Sequence, residues 1–231
     1  MSNIYAIPDL HGRLDLLEAA LVAIEADSKG TPYQVVTLGD YIDRGPHSKQ
    51  VIDRIMDVQF HGLPLIALMG NHEHMMLASI AGREPPSLWL RNGGTKTLES
   101  YGADLSSGQF DARDIPDAHV RWLTNLPMRY VDDHRIYVHA GIIPDYSLDE
   151  QGSDIMLWMR YPEGYEYGHG DRHVVHGHTP HAEPLRYSGR TNLDTKAWKT
   201  GRLHVGKFIN EIPGGPVEIL ELTAPNATIL P

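Results

Sequence analysis

The 231-residue chain has no cysteine, which excludes a disulfide framework and any metal site built on thiolates. That absence fits a reducing compartment. Excess positive charge is missing as well. With 30 acidic against 20 basic side chains the formal charge is −10, so broad electrostatic binding to nucleic acid or to an anionic membrane is not expected. A small anionic substrate stays open, because bound metal ions invert a local field. No window approaches the roughly 18 apolar residues of a membrane span. The opening MSNIYAIPDLHGR carries neither a basic stretch nor a long apolar one, so no secretory leader is expected, and the expected location is cytoplasmic. Repeats, low-complexity tracts and linkers are lacking too, and the length suits one domain over residues 1–231.

What is present is an alternation. IYAIP (4–8) reads as a strand, LDLLEAALVAIEADS (14–28) as an amphipathic helix, QVVTLG (34–39) as a strand, SKQVIDRIMDV (48–58) as a helix and LPLIALMG (63–70) as a strand, with helical HEHMMLASIAG after it. Strand, loop and helix in repetition predict an α/β fold with a largely parallel sheet, and the all-apolar strands predict cover on both faces. Residues 83–127 read as a helical cap insertion. RYVDD and RIYVHAG suggest a hairpin, RHVVHGHT (172–179) a further strand, and the tail from GRTNLD onward an antiparallel meander.

The polar clusters fall in a pattern. Asp9 and His11 follow the first strand, Asp40, Asp43 and Arg44 the second, and Asn71, His72 and Glu73 the third; His139 ends IYVHAG, and His176 and His178 end HVVHGH. Each cluster has an ordinary explanation alone: an Asx turn for DLHG, a solvated loop for GDYIDRG, an N-cap at Asn71 for GNHE, a hydrogen-bonded histidine for HAG. Five turns selecting Asp, Asn or His at the same strand end share one cause more simply. Ligands bind at the carboxyl ends of strands in open α/β sheets. Asp, Asn and His supply oxygen and nitrogen donors that suit Mn²⁺, Fe or Zn²⁺. Asp9, His11, Asp40, Asn71, His139 and His178 exceed the needs of one tetrahedral ion and suit two ions with a bridging carboxylate.

The ordered set PDLHG, GDYIDRG, GNHE, HAG and GHT, from residue 8 to 179, resembles the calcineurin-like metallophosphoesterases, and within them the bacterial and phage phosphoprotein phosphatases. WLRNGGTKTLESYG (89–102) and LDTKAWKTGRL (193–203) also look like segments of that family. Pro8 departs from its usual glycine, a change of backbone freedom rather than of ligation. The resemblance implies a metallophosphatase fold, a central β-sandwich of mixed sheets flanked by helices. It also implies a dinuclear centre, most readily of Mn²⁺, with Asp9, His11 and Asp40 on one ion and Asp40, Asn71, His139 and His178 on the other. Arg44 and Arg160 would bind phosphate together with Asn71, His72 would be the general acid, and Asp43 would orient it.

The implied activity is metal-dependent hydrolysis of phosphomonoesters, foremost as a serine/threonine-type protein phosphatase, on phosphorylated proteins or small phosphoesters. The alternative is a symmetrical dinucleoside polyphosphate hydrolase. That relative lacks the second acid of GDxxDRG and has Asp after GNH, whereas this chain has Asp43 and Glu73. A non-catalytic phospho-binding module should have lost part of the set, and nothing is missing. His176 reads as stabilising its strand end, and His74, His173 and His181 as surface or loop residues. Trp89 and Trp122 read as packing in the cap, and Asn92 is left outside the site.

Overall fold

The computed structural model describes residues 2–105 and 111–223. In chain order its main elements are β1 (Asn3–Ile7), α1 (Leu14–Ser28), β2 (Tyr33–Thr37), α2 (Ser48–Phe60), β3 (Leu65–Ala67) and α3 (Asn71–Ile80). Then come α4 (Pro86–Trp89), α5 (Thr95–Tyr101), α6 (Asp117–Thr124), β4 (Arg129–Val131), β5 (Arg135–Val138) and α7 (Ser153–Trp158). The last are β6 (His173–His176), β7 (Leu185–Arg186), β8 (Arg190–Asn192), α8 (Ala197–Thr200), β9 (Arg202–Ile209) and β10 (Glu218–Thr223). Two five-stranded sheets form, ordered β10-β9-β1-β2-β3 and β4-β5-β6-β8-β7. Both are mixed: β1, β2 and β3 run parallel, as do β5, β6 and β8, while β9, β10, β4 and β7 are antiparallel to their neighbours.

The strand period of two explains the layers. Ile4, Ala6, Val36 and Leu38 face Tyr137, Val175 and Leu193 of the other sheet. Tyr5, Ile7 and Val35 point the other way, onto Leu16, Leu17, Ala20 and Ile24 of α1 and Val51, Ile52 and Ile55 of α2. β1 and β2 are therefore covered on both faces, as their continuous apolar runs predicted. Residues 83–127 carry α4, α5 and α6 around the segment 106–110 that lies outside the described residues. Arg135, fully buried, ties the sheets together at the end away from the polar clusters: its guanidinium donates to the carbonyls of Ile209 at the end of β9 and of Ile212 and Gly214 beyond it, and covers the Phe208 ring.

Two expectations are corrected. The tail is not one meander. Within it β9 and β10 form an antiparallel hairpin, while β8 lies in the second sheet, parallel to β6 and antiparallel to the preceding β7. The three polar residues of β8 are all buried, with the Arg190 guanidinium lying 4.6 Å from the Tyr161 ring centroid and 4.3 Å from that of Tyr187, a tertiary fit that alternation cannot show. His173 is not a surface residue either. It is 3% exposed in β6, with Nε2 2.9 Å from Thr191 Oγ1. His74 on α3 is half-buried and His181 is exposed in a loop.

Burial, with a smaller push from the Arg135 charge, lowers the His173 pKa to about 4. The folded state thus prefers the neutral ring. Its contribution is complete above the unfolded value of about 6.5 and is lost as pH falls from there toward the folded value. Between pH 7.5 and pH 5 the wild type should lose about 1–2 kcal/mol more unfolding free energy than the His173→Gln variant, measured by urea denaturation. An identical loss in both proteins would show that His173 does not titrate on unfolding.

Candidate metal centre and active site

The carboxyl ends of β1, β2, β3, β5 and β6 deliver Asp9 and His11, Asp40 with Asp43 and Arg44, Asn71 and His72, His139, and His178 to one end of the two sheets. The loops are stitched by main-chain bonds, with Leu10 and His11 N–H donating to the Asp40 carbonyl at 3.0 and 2.8 Å. Glycines at these ends permit the approach. A Cβ on Gly39 would lie 2.6 Å from Gly70 Cα, and one on Gly12 2.8 Å from the Gly45 carbonyl carbon. The Glu73 carboxylate, fully buried, accepts the N–H groups of Asp40, Tyr41, Ile42 and Gly70 and pins the second loop to the start of α3. At the site His11, Asp40, Asp43, Arg44, His178 and Lys196 take left-handed backbone with φ between 44 and 72°; away from it, among the described non-glycine residues, only Lys29 at the end of α1 does. Each such conformation costs on the order of 1 kcal/mol, and such strain concentrates at functional sites.

Two groups of donor atoms share Asp40. In one, His11, Asp40 and His72 lie within 4.8 Å of one another, and in the other Asp40, His139 and His178 do. The buried Asp40 carboxylate has Oδ2 3.4 Å from His11 Nε2 and Oδ1 3.5 Å from His139 Nε2. Asp9 belongs to neither group. Its Oδ1 accepts the His178 N–H at 3.1 Å, and Asp194, at the end of β8, stands beside it.

The chemistry of this set fits cations. His11 and His139 each donate Nδ1–H to a carbonyl, Ile42 and Leu38 respectively, both at 2.8 Å. That fixes the tautomer and turns the Nε2 lone pairs inward. The lone pair of His139 then faces Asn71 Oδ1 at 2.9 Å, two acceptors that a positive ion between them reconciles, and His178 Nδ1 approaches the same oxygen at 3.0 Å. Burial and the Arg44 charge hold His11 well below its usual pKa, burial lowers His139, and burial with the neighbouring His139 lowers His178 to about 3. Each shift favours the neutral ring, the ligating form. Burial and the Asp194 and Asp40 charges push Asp9 well up, and burial and Asp40 raise Asp194 to about 6 against the opposing Lys196 N–H bond. Asp40 goes down: burial alone would raise it, but His139, His72 and His11 outweigh that. Three buried carboxylates among neutral imidazoles call for positive charge between them.

His72 stands apart from the other histidines. Its Nδ1 lies 2.6 Å from Asp43 Oδ2, and its Nε2 faces the Arg44 guanidinium at 2.8 Å. Burial pulls it down, but Asp40 and Asp43 prevail and raise it. Asp43 is itself held from behind by Trp89 Nε1 at 3.0 Å to both carboxylate oxygens and by Thr97 Oγ1. Trp89 is thus more than cap packing, and Thr97 had no motif of its own; both sit in WLRNGGTKTLESYG, the segment that carried the weaker signal. Trp122 packs on Tyr41 and donates to Gln59. His176 lies behind the site, accepting from Arg190 at 3.0 Å.

A cleft of about 390 Å³ opens over these groups, lined by Asp40, Arg44, Asn71, His72, Asn92, Trp158, Arg160, His178, Pro180, Lys196 and Trp198. Arg160 therefore shares the cleft with Arg44, and Asn92 faces it too. Lys196 and Trp198 were not singled out from the sequence; their signal was the segment LDTKAWKTGRL.

The profile of the calcineurin-like phosphoesterase family matches residues 2–211. Among curated relatives, the asymmetrical bis(5'-nucleosyl)-tetraphosphatase PrpE of Bacillus thuringiensis (strain Al Hakam) is 27% identical over 220 residues, covering 85% of this chain and 87% of that one. A symmetrical bis(5'-nucleosyl)-tetraphosphatase of Methylobacillus flagellatus is 30% identical over 179 residues, covering 76% and 56%. Among solved structures, a protein assigned provisionally as a diadenosine tetraphosphatase superposes with a TM-score of 0.70 at 19% identity over 97% of this chain and 95% of its own. A Saccharomyces cerevisiae protein serine/threonine phosphatase does so with 0.62 at 13% over 98% and 81%. No helix among the described residues is long and apolar enough to cross a membrane.

Proposed function

The chain belongs to the calcineurin-like phosphoesterase family, and from that premise we propose that it is a metal-dependent hydrolase in which water displaces an oxygen leaving group from phosphorus and His72 protonates that group. The observation that carries this reading is the buried His72–Asp43 pair, 2.6 Å apart, with His72 itself in one of the two donor groups that share Asp40. Asp9, His11, Asp40, Asn71, His139 and His178 would hold two divalent ions, which supply Lewis acidity toward water and the phosphoryl oxygens when bound. Mn²⁺ suits these donors, as do Fe and Zn²⁺.

The protein's own groups divide the remaining work. Arg44 and Arg160 offer planar guanidinium forks to the phosphoryl oxygens, where charge accumulates during displacement. Arg44 now points its two terminal nitrogens at His11 and His72, 2.6 and 2.8 Å away. Turning onto a phosphate would free His72 Nε2 to carry the proton for the leaving oxygen. Asp43 accepts from Nδ1, orients the ring and stabilises its cationic form.

Two substrate classes have support. The GDYIDRG and GNHE motifs resemble those of protein phosphatases. The curated relatives bear the names of dinucleoside tetraphosphatases. Asp43 and Glu73 do not choose between them, since both are fully buried, Glu73 against main-chain N–H groups and Asp43 against His72, Trp89 and Thr97. With Mn²⁺ added, the protein should hydrolyse p-nitrophenyl phosphate, a phosphoserine peptide or diadenosine tetraphosphate, and chelator should abolish the activity. Failure on all three with metal bound would refute the hydrolase reading.

A further inference from the structure

The cleft has a feature that hydrolysis alone does not require: two tryptophans in its lining, one beside Arg44 and one beside His178. Trp198 borders Arg44, whose guanidinium carbon lies 5.6 Å from the ring centroid, and Arg44 belongs with His11 and His72. Trp158 meets the His178 ring edge-on with centroids 6.5 Å apart, and His178 belongs with Asn71 and His139. Trp158 is 40% exposed although a large aromatic gains most from burial. Both rings line the same cleft.

The cations of the cleft exceed the needs of one phosphoryl group. Besides Arg44, Arg160 and Lys196 line it, against Asp40 as the only carboxylate among the lining residues, in a chain whose formal charge is −10. Lys196 adopts φ 59°, ψ 44°, a conformation that glycine would take without strain, and its side chain is exposed at the cleft. A phosphorylated serine or threonine brings one phosphate and no ring. A polyphosphate between two bases brings a ring for each tryptophan and phosphates for all three cations.

Resting on the hydrolase reading above, we propose that Trp158 and Trp198 are base-stacking faces, that Lys196 holds phosphate beyond the one Arg44 and Arg160 grip, and that the substrate class is a dinucleoside polyphosphate. Base–aromatic stacking is worth roughly 1–3 kcal/mol per base, or about 5- to 150-fold in affinity.

The test compares diadenosine tetraphosphate with two substrates lacking a base, inorganic tripolyphosphate and glycerol 2-phosphate, on the full-length Mn²⁺-loaded protein. In Trp158→Ala and in Trp198→Ala, the kcat/KM ratio of dinucleotide to base-free substrate should fall about tenfold or more, chiefly through KM, and Phe at either position should restore most of it. As a readout independent of turnover, adenosine 5'-monophosphate should quench tryptophan fluorescence at concentrations where ribose 5-phosphate does not. An unchanged ratio in both Ala variants, or equal quenching by the two ligands, would overturn the proposal. So would a phosphoserine peptide preferred over the dinucleotide by wild type and variants alike. Selective quenching without turnover of any substrate would leave the base sites standing and sink the hydrolase reading, whereas turnover with an unchanged ratio would do the reverse.

Discussion

Replacing Asp40 by asparagine should remove bound metal and turnover together. The substitution is isosteric, and asparagine keeps an oxygen for the His72 N–H, which Asp40 Oδ1 now accepts at 3.0 Å, so the loop should keep its shape. What disappears is the one negative charge common to both donor groups. In the wild type that charge offsets the burial of neutral His11, His139 and His178 around a cation. Several kcal/mol of transition-state stabilisation depend on such a centre, so kcat/KM should fall by at least about 10³-fold at any Mn²⁺ concentration the protein tolerates. Metal analysis of the dialysed protein should give less than one ion per chain. Retention of the wild-type metal content with only a modest loss of rate would remove Asp40 from its assigned role.

The main lines of this site were legible because its residues sit at strand ends, where the chain announces itself. An apolar run stops, a glycine follows, and Asp, Asn or His comes next: Gly39–Asp40 and Gly70–Asn71 both read this way, and the two glycines prove to be packed on each other. The parallel order of β1, β2 and β3 followed from the same alternation. Contacts set by residues far apart in sequence were not legible. Trp89 and Thr97 reach Asp43 across 46 and 54 positions, and nothing local distinguishes an indole that binds a carboxylate from one that only fills a core. Asp194 follows β8, a three-residue strand of Arg, Thr and Asn whose burial depends on Tyr161 and Tyr187. Trp158 and Trp198 gain meaning only when the cleft brings them beside His178 and Arg44. Glu73 looked like a marker of substrate class because it lies within a motif. Its fixed partners are four main-chain N–H groups, so it acts on the shape of the loop.

His72 has two possible uses, and its own geometry supports each. Its Nε2 lies 3.9 Å from Asp40 Oδ2 within a donor group, as a metal ligand's would. Its Nδ1 is bound to Asp43, as in an oriented general acid. The two roles differ in what the leaving group feels. A general acid matters most when the departing oxygen is a poor leaving group and little when that oxygen departs readily unprotonated. His72→Ala should therefore lower kcat by about 10²–10⁴-fold on an alkyl phosphomonoester, by much less on p-nitrophenyl phosphate, and should leave two ions bound. Asp43→Asn should show the same dependence on leaving group with a smaller loss, since the ring keeps its place but loses the charge that favours its protonated form. Trp89→Phe should follow the same trend more weakly, because Thr97 still holds Asp43. If His72→Ala instead loses an ion, and slows both substrates equally, His72 is a ligand. The acid must then be sought among the other groups lining the cleft.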